Sequence, residues 1–216
     1  MLIREPLARG IVLPGVFSPL SDTWLLARAA VREPLPAGAR ILELCAGPAF
    51  AGIAAARAHA GALFTVDVSR RAVLNARINA RLNGVPIVAR RGDLLSAVAG
   101  GRFDLILANP PYVPGGAPPR RGAARAWEAG ADGRVVLDRI IAEAPRHLAP
   151  GGTLLLVHSE LCGTPATLRA YAARGLRADV AASETGPLGP LMRAAVGPSG
   201  QDVEEVVVAR GKVPRS

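Results

Sequence analysis

The chain has 216 residues, half of them apolar and 4% aromatic, enough to bury one sizeable aliphatic core. Its net charge of +9, from 26 basic and 17 acidic residues with Lys212 the sole lysine, fits an acidic partner such as RNA or DNA, and fits equally the Ala/Gly/Pro/Arg bias of a GC-rich coding sequence. No run approaches the ~18 apolar residues of a membrane span, residues 1–6 hold no signal-peptide core, and Cys45 and Cys162 form neither a metal spacing nor a disulfide framework, so a soluble protein of the reducing cytoplasm is expected.

In chain order, the first helical pattern is Ser21–Arg32, where Ser21-Asp22-Thr23 supplies residue types suited to an N-cap. From residue 40 strands and helices alternate. A short apolar strand at Arg40–Leu44 leads through a Gly/Pro turn into an Ala-rich helix over about 50–60. A second strand at 63–66 ends at Asp67, and Ser69 caps a helix carrying Ala72, Val73, Ala76, Ile78, Ala80 and Leu82 that stops at Asn83-Gly84. Strands follow at 86–90 and Phe103–Ala108. A helix is expected over about 133–148, ended by Ala149-Pro150-Gly151-Gly152, then a strand at 153–158 and a helix near 164–174. The last two strands read as 176–182 and 203–210, separated by a Gly/Pro-rich stretch at 186–200, and residues 114–125 read as a mobile loop. Near-continuous apolar strands alternating with helices imply a seven-stranded, mostly parallel α/β sheet covered on both faces, with ligands at the C-terminal strand ends. Residues 1–39 are expected to be an N-terminal segment and helix, and 40–216 the core of a single domain.

The most informative motif is Asn109-Pro110-Pro111-Tyr112, directly after the apolar strand Phe103–Ala108. Each proline fixes φ near ~−65° and lacks an N–H, and the residue before each proline is driven out of the helical region. The resulting stiff loop holds the Asn109 amide and the Tyr112 ring in place. That suits a planar –NH2 group, whose two protons the Asn109 side-chain oxygen and the Pro110 carbonyl can accept while Tyr112 packs on the flat group carrying it. Three further elements fall at strand ends. Glu43-Leu44-Cys45-Ala46-Gly47-Pro48-Ala49 leads from the first strand into a helix. Asp67 ends the second strand, where a carboxylate accepts ribose hydroxyls or serves only as a helix cap. Gly92-Asp93-Leu94 follows the third strand, where an acid can accept from an adenine amine and Leu94 can cover the ring. The histidines His59, His147 and His158 form no cluster, no metal site is expected, and Cys162 reads as a buried thiol.

Together these segments resemble the Rossmann-like class I S-adenosylmethionine-dependent methyltransferases, and within them the HemK-type N5-glutamine methyltransferases that modify peptide-chain release factors. Gly15-Val16-Phe17-Ser18-Pro19-Leu20-Ser21-Asp22-Thr23 is similar to the family's short-form N-terminal segment, and residues 126–134 to the Gly/Asp-rich segment after its substrate loop. The resemblance implies that Thr23, Glu43, Cys45, Gly47, Asp67, Asp93, Leu94 and Asn109 contact S-adenosylmethionine. It also implies that Asn109, Pro110, Pro111 and Tyr112 hold the target amide for in-line methyl transfer, with Asn109, Pro110 and Tyr112 as the catalytic set. No metal or covalent intermediate is implied. The longer bacterial enzymes have a separate N-terminal helical domain that this chain lacks, so it reads as the short form, which often requires a small activating partner subunit.

The chain departs from the family pattern at the loop after the first strand. Cys45 and Ala49 stand at two of its three usual glycine positions, and Pro48 replaces a residue with a free N–H. Phe17 stands for the usual Tyr and Ser21 for the usual Glu. Three alternatives to a protein-glutamine acceptor follow. One is an amino-methyltransferase acting on adenine or guanine in nucleic acid, which Arg120, Arg121 and Arg125 near the loop would suit but the scarcity of aromatic residues would not. The others are a small-molecule methyltransferase and a non-catalytic paralogue.

Overall fold

The computed structural model describes residues 2–4, 7–116, 126–197 and 202–214. Seven strands form one sheet: β3 (Arg40–Leu44), β4 (Ala62–Asp67), β5 (Ile87–Arg91), β6 (Phe103–Ala108), β7 (Leu148–Ser159), β8 (Arg177–Pro187) and β9 (Val203–Lys212). Their order is β5-β4-β3-β6-β7-β9-β8. All neighbouring pairs are parallel except those made by β9, which runs antiparallel to both β7 and β8. The sequence therefore anticipated the mostly parallel sheet. The chain leaves central β3 for β4 on one side and later places β6 on the other. That reversal creates a crevice at the strands' carboxyl ends.

Alternation along the central strands explains why both faces carry helices. Ile41, Leu105, Leu107, Leu155 and Val157 point to one core, shared with α1 (Ser21–Arg32), α2 (Phe50–Ala58) and α3 (Arg70–Leu82). Leu42, Leu44, Ile106, Ala108, Leu154 and Leu156 point to the other, shared with α4 (Val135–Glu143) and α5 (Thr164–Ala172). With apolar residues on both faces, a strand has no solvent side and reads as a continuous apolar run.

Several boundaries differ from expectation. α1 begins at Ser21 with Leu20 at the cap position and no side-chain cap bond; Asp22 is instead turned inward, 6% exposed. Ser69 does cap α3, accepting from Ala72 N at 3.3 Å. The helix expected over 133–148 is shorter, giving way to a 3-10 turn at Ala144–His147, where Pro145 cannot donate the next helical bond. The following Ala-Pro-Gly-Gly sequence is absorbed within β7, with a shift of register against β6 between Phe103 and Leu105. The Gly/Pro-rich stretch contains α6 (Pro190–Val196), which starts on a proline, a residue pre-set for a first helical turn. A small hairpin, β1 (Leu2–Arg4) with β2 (Arg9–Ile11), was also not anticipated. Most of the loop expected to be mobile, including Arg120, Arg121 and Arg125, lies outside the described residues. Among the described residues no helix is long and apolar enough to cross a membrane.

Candidate functional site

The carboxyl ends of β3, β4, β5 and β6 surround a cavity of about 450 Å³, a size suited to a cofactor. Thr23, Glu43, Cys45, Gly47, Asp67, Asp93, Leu94, Asn109 and Pro111, all singled out from the sequence, line it. Pro110 and Tyr112, also singled out, are not among the lining residues but flank Pro111, which is. The register that pairs Leu44 with both Val66 and Ala108 brings the three strand ends level. Residues 15–19 form the opposite wall, and Ala126, Glu128, Val135, Val136 and Arg139 close the side nearest α4.

The loop after β3 keeps a glycine-like backbone without the glycines. Cys45, Gly47 and Ala49 have φ of 52, 50 and 63°, all left-handed. Only Gly47 adopts this conformation without a Cβ penalty. A Cβ on Gly47 would meet nothing within 4 Å, so the cavity opens directly above its backbone. The loop is pinned from below: Gly47 N–H donates to Asp67 Oδ2 at 2.9 Å, while Asp67 Oδ1 accepts from Ser69 N–H at 2.8 Å. Asp67 thus joins the two turns it lies between, at the wall of the cavity.

Glu43 is 4% exposed. Burial, opposed by a bond from Gly52 N–H and reinforced by Asp67, lifts its carboxyl from 4.5 to about 8. The Gly52 N–H lies 2.9 Å from Glu43 Oε2, and a Cβ at residue 52 would fall 2.5 Å from that oxygen, so glycine is required there. Burial also drives the Cys45 thiol upward, with the Asp67 and Asp93 charges adding to the effect, so Cys45 lines the cavity as a neutral thiol.

The tetrapeptide is held by the first turn of α1. Tyr112 OH donates to Asp22 Oδ2 at 2.9 Å, and Asp22 Oδ1 accepts from Thr23 N–H at 2.6 Å. Asn109 Nδ2 donates to Thr23 Oγ1 at 3.4 Å. Thr23 Oγ1 donates its own proton to Asp22 Oδ1 at 3.3 Å, so it accepts from Asn109, and Oδ1 is the acceptor end of the amide. Burial first, then the Asp22 charge and hydrogen bond, raises the Tyr112 hydroxyl well above its ordinary range, so it stays a donor. Behind the loop Cys162 Sγ donates to Tyr112 O at 3.1 Å, and its thiol is pushed up to about 12, chiefly by burial. The site needs no ionised nucleophile, and these groups provide none.

Sequence reasoning missed two participants. Asp22 was read as a cap residue and as part of the family-like 15–23 segment, with no role in the site, yet it organises both Thr23 and Tyr112. Arg139, on the outward side of α4, grips Asp93 through two contacts of 2.7 and 3.4 Å. The carboxylate expected to meet an adenine amine therefore already shares its oxygens with a guanidinium. A salt bridge 46 residues apart in sequence leaves no local pattern. Each histidine ring contacts a backbone carbonyl in a separate part of the fold.

A nucleotide-sized cavity at the reversal point of a parallel sheet, with an acid at the end of the second core strand and an Asn-Pro-Pro-Tyr loop at its rim, defines a Rossmann-like methyltransferase. The methyltransferase small domain family model matches residues 11–175, and the chain belongs to that family. A putative protein N5-glutamine methyltransferase of Methanocaldococcus jannaschii is 34% identical over 181 residues, 83% of this chain and 90% of that protein. The 4-amino-L-phenylalanine/4-methylamino-L-phenylalanine methyltransferase of Streptomyces pristinaespiralis is 36% identical over 200 residues, 78% of this chain and 67% of that protein. The same fold occurs in the E. cuniculi Mtq2–Trm112 complex responsible for methylating the eRF1 translation termination factor, with a TM-score of 0.61 and 23% identity, covering 92% of this chain and 99% of that one.

Proposed function

We propose that the chain is a single methyltransferase domain, 1–39 its N-terminal segment and 40–216 its core, that methylates the side-chain nitrogen of a glutamine in a protein of the peptide-chain release factor type. The observation that carries this reading is the Asn109 amide, fixed by Thr23 with its carbonyl oxygen left as an acceptor, on a loop tied by Tyr112 to Asp22. The cavity fits S-adenosylmethionine. Asp67, a carboxylate at a strand end in the cavity wall, would take the ribose, Gly47 opens its backbone to the ligand, and Thr23, Glu43, Cys45, Asp93 and Leu94 complete the walls. When bound, the cofactor supplies a methyl group made electrophilic by a positively charged sulfur.

The protein's contribution is positioning. An amide nitrogen is a poor nucleophile because its lone pair is delocalised over the carbonyl. Asn109 Oδ1 and the Pro110 carbonyl accept hydrogen bonds from the two N–H groups of the target –NH2, and the Tyr112 ring limits rotation of the flat group. The lone pair is thereby aimed into the cavity. As the nitrogen–methyl bond forms and the sulfur–methyl bond breaks, the nitrogen sheds one proton to solvent. The surrounding apolar walls exclude water. Two prolines make this alignment stiff before the acceptor arrives. The cytoplasm is the setting such an acceptor implies, and a small activating partner subunit is part of the reading, which the occurrence of the E. cuniculi neighbour as an Mtq2–Trm112 complex supports.

The test is methyl transfer from S-adenosylmethionine to an intact release factor, followed by mass mapping of the modified residue. Wild type is expected to add one methyl group to a glutamine. Asn109→Ala is expected to abolish transfer while leaving cofactor affinity near wild type, and an unimpaired variant would overturn the role of the loop. A second reading has its own support. Phe17 and Trp127 face each other beside the cavity with ring centroids 6.4 Å apart, a setting that suits a small aromatic amine like the substrate named for the Streptomyces relative. Transfer to 4-amino-L-phenylalanine without transfer to release factor would select it.

A further inference from the structure

Helix α3 and its C-cap residue carry asparagines at 75, 79 and 83, every fourth residue and therefore on one face. Each acts toward the N-terminal segment as a strand's backbone would. Asn83 Oδ1 accepts from Arg9 N–H at 3.2 Å, and its Nδ2 donates to Arg9 O at 2.6 Å. Asn79 Oδ1 accepts from Ile11 N–H at 2.9 Å, and its Nδ2 donates to Ile11 O at 3.0 Å. Asn75 Nδ2 donates to Ile11 O at 2.9 Å, and its Oδ1 accepts from Leu13 N–H at 2.8 Å. Four helical residues rise ~6 Å, and two extended residues span ~6.6 Å. Amides at every fourth helical position therefore meet alternate residues of an extended chain running the opposite way. Residues 9–13 are strapped to α3 by this ladder, and the chain then turns into the wall formed by residues 15–19.

Asn75 and Asn79 are both fully buried. Asn79 differs from the other two rungs in one further bond: its Nδ2 also donates to Pro48 O at 2.9 Å, in the loop between β3 and α2. One amide group thus joins the strap to the 45–49 loop, two segments on different sides of the cavity. There is no slack at this junction, because a Cβ on Gly10 would lie 2.4 Å from Asn79 Oδ1 and 3.0 Å from the Phe50 ring. Asn83 shares the strap bonds but makes no bond to that loop.

We propose that Asn79 is a positioning residue for the cofactor, setting the separation between the 15–19 wall and the 45–49 loop so that both meet the ligand at once. The inference rests on reading the cavity as an S-adenosylmethionine site. Removing Asn79 leaves the Asn75 and Asn83 rungs to hold the strap, so the domain is expected to fold with its cavity out of register. Coupling also runs the other way: a ligand that grips both walls tightens the ladder between them.

The experiment is calorimetric titration of S-adenosylmethionine into the full-length wild type, Asn79→Ala and Asn83→Ala, with thermal melts of each and hydrogen exchange of the wild type. Asn79→Ala is expected to raise the dissociation constant at least about five-fold. Asn83→Ala is expected to lower the melting temperature comparably yet keep wild-type affinity. In the wild type, adding cofactor is expected to slow exchange of the Ile11 and Leu13 amides. Wild-type affinity in Asn79→Ala, or an equal loss in Asn83→Ala, would overturn the proposal. If Asn79→Ala does not fold, exchange in the wild type decides, and unchanged Ile11 and Leu13 rates overturn it. A wild type that binds no S-adenosylmethionine would sink the reading of the cavity itself, an outcome visible before any variant is compared.

Discussion

Glu43 shows how one buried carboxyl makes this fold sensitive to pH. The unfolded chain ionises it above its ordinary 4.5, whereas the folded chain holds the proton to about 8. Between those values the folded state binds more protons, so this group's stabilisation is complete at low pH and is lost as pH rises through the window. Glu43→Gln keeps an oxygen for the Gly52 N–H and cannot ionise. Relative to that variant, the wild-type melting temperature is expected to fall as pH rises from 4.5 to about 8 and to level off above that; parallel curves would show that Glu43 titrates normally. The neighbouring loop carries a second residue-level cost. Cys45 and Ala49 are left-handed without being glycine. Cys45→Gly and Ala49→Gly should each stabilise the domain by about 1 kcal/mol in urea unfolding, the relief of strain net of glycine's added freedom when unfolded. That strain is kept at a cavity wall, where the loop's shape matters more than its stability. A destabilised glycine variant would show that the Cβ packing outweighs the strain.

At the scale of elements, the target loop is held by what packs behind it. Gly133, at the entry to α4, has φ of 71°, and a Cβ there would lie 3.0 Å from Cys162 Sγ and closer still to the Tyr112 carbonyl oxygen. Arg134 next to it donates to Cys162 O, Thr167 Oγ1 and Asp138, locking α4 to α5. Gly133→Ala should therefore cost about 2 kcal/mol or more, and in the folded fraction it should reduce turnover while sparing cofactor affinity, because the displaced group is Tyr112. Equal losses in turnover and affinity would place the damage in the cavity as a whole. Which elements were legible follows from the range of the forces that make them. β3, β4 and β6 announce themselves as apolar runs, and α3 as a capped periodic stretch closed by Asn83-Gly84, because these signals are local. α6 hides in a Gly/Pro-rich stretch whose composition speaks for a loop, and its one fully buried anchor, Met192, packs on Leu188 and Val113 from a distant segment. The Asn-Pro-Pro-Tyr loop was legible because its stiffness is written into two prolines. Its tether was not, since Asp22 lies 90 residues away. The asparagine ladder lies between these cases: its four-residue spacing is visible in the sequence, and its 62- to 74-residue reach is not.

At the scale of the molecule, charge is segregated. Residues 68–92 hold six arginines, Arg70, Arg71, Arg77, Arg81, Arg90 and Arg91, and no acid, and all six are exposed. The hydrogen bonds of Arg71, Arg77, Arg90 and Arg91 go to backbone carbonyls. The carboxylates Asp22, Asp67, Asp93 and Glu128 instead gather around the cavity and the Asn109 loop, where Glu43 keeps its proton at neutral pH. A polynucleotide acceptor would have to bring its phosphates toward that acidic rim, and would draw most of its affinity from the arginine face of α3 and β5. A glutamine on a protein carries no such requirement. Arg70→Gln, Arg77→Gln and Arg81→Gln combined remove three charges from α3 without touching Arg71, which bonds Pro14, or the asparagine ladder. Methyl transfer to release factor, and its rate at low and high salt, should be unchanged by the triple variant. If transfer instead collapsed, and wild-type transfer fell steeply with salt, the release factor would be docking on the arginines of α3, and the claim that this face is not needed by a protein acceptor would fall.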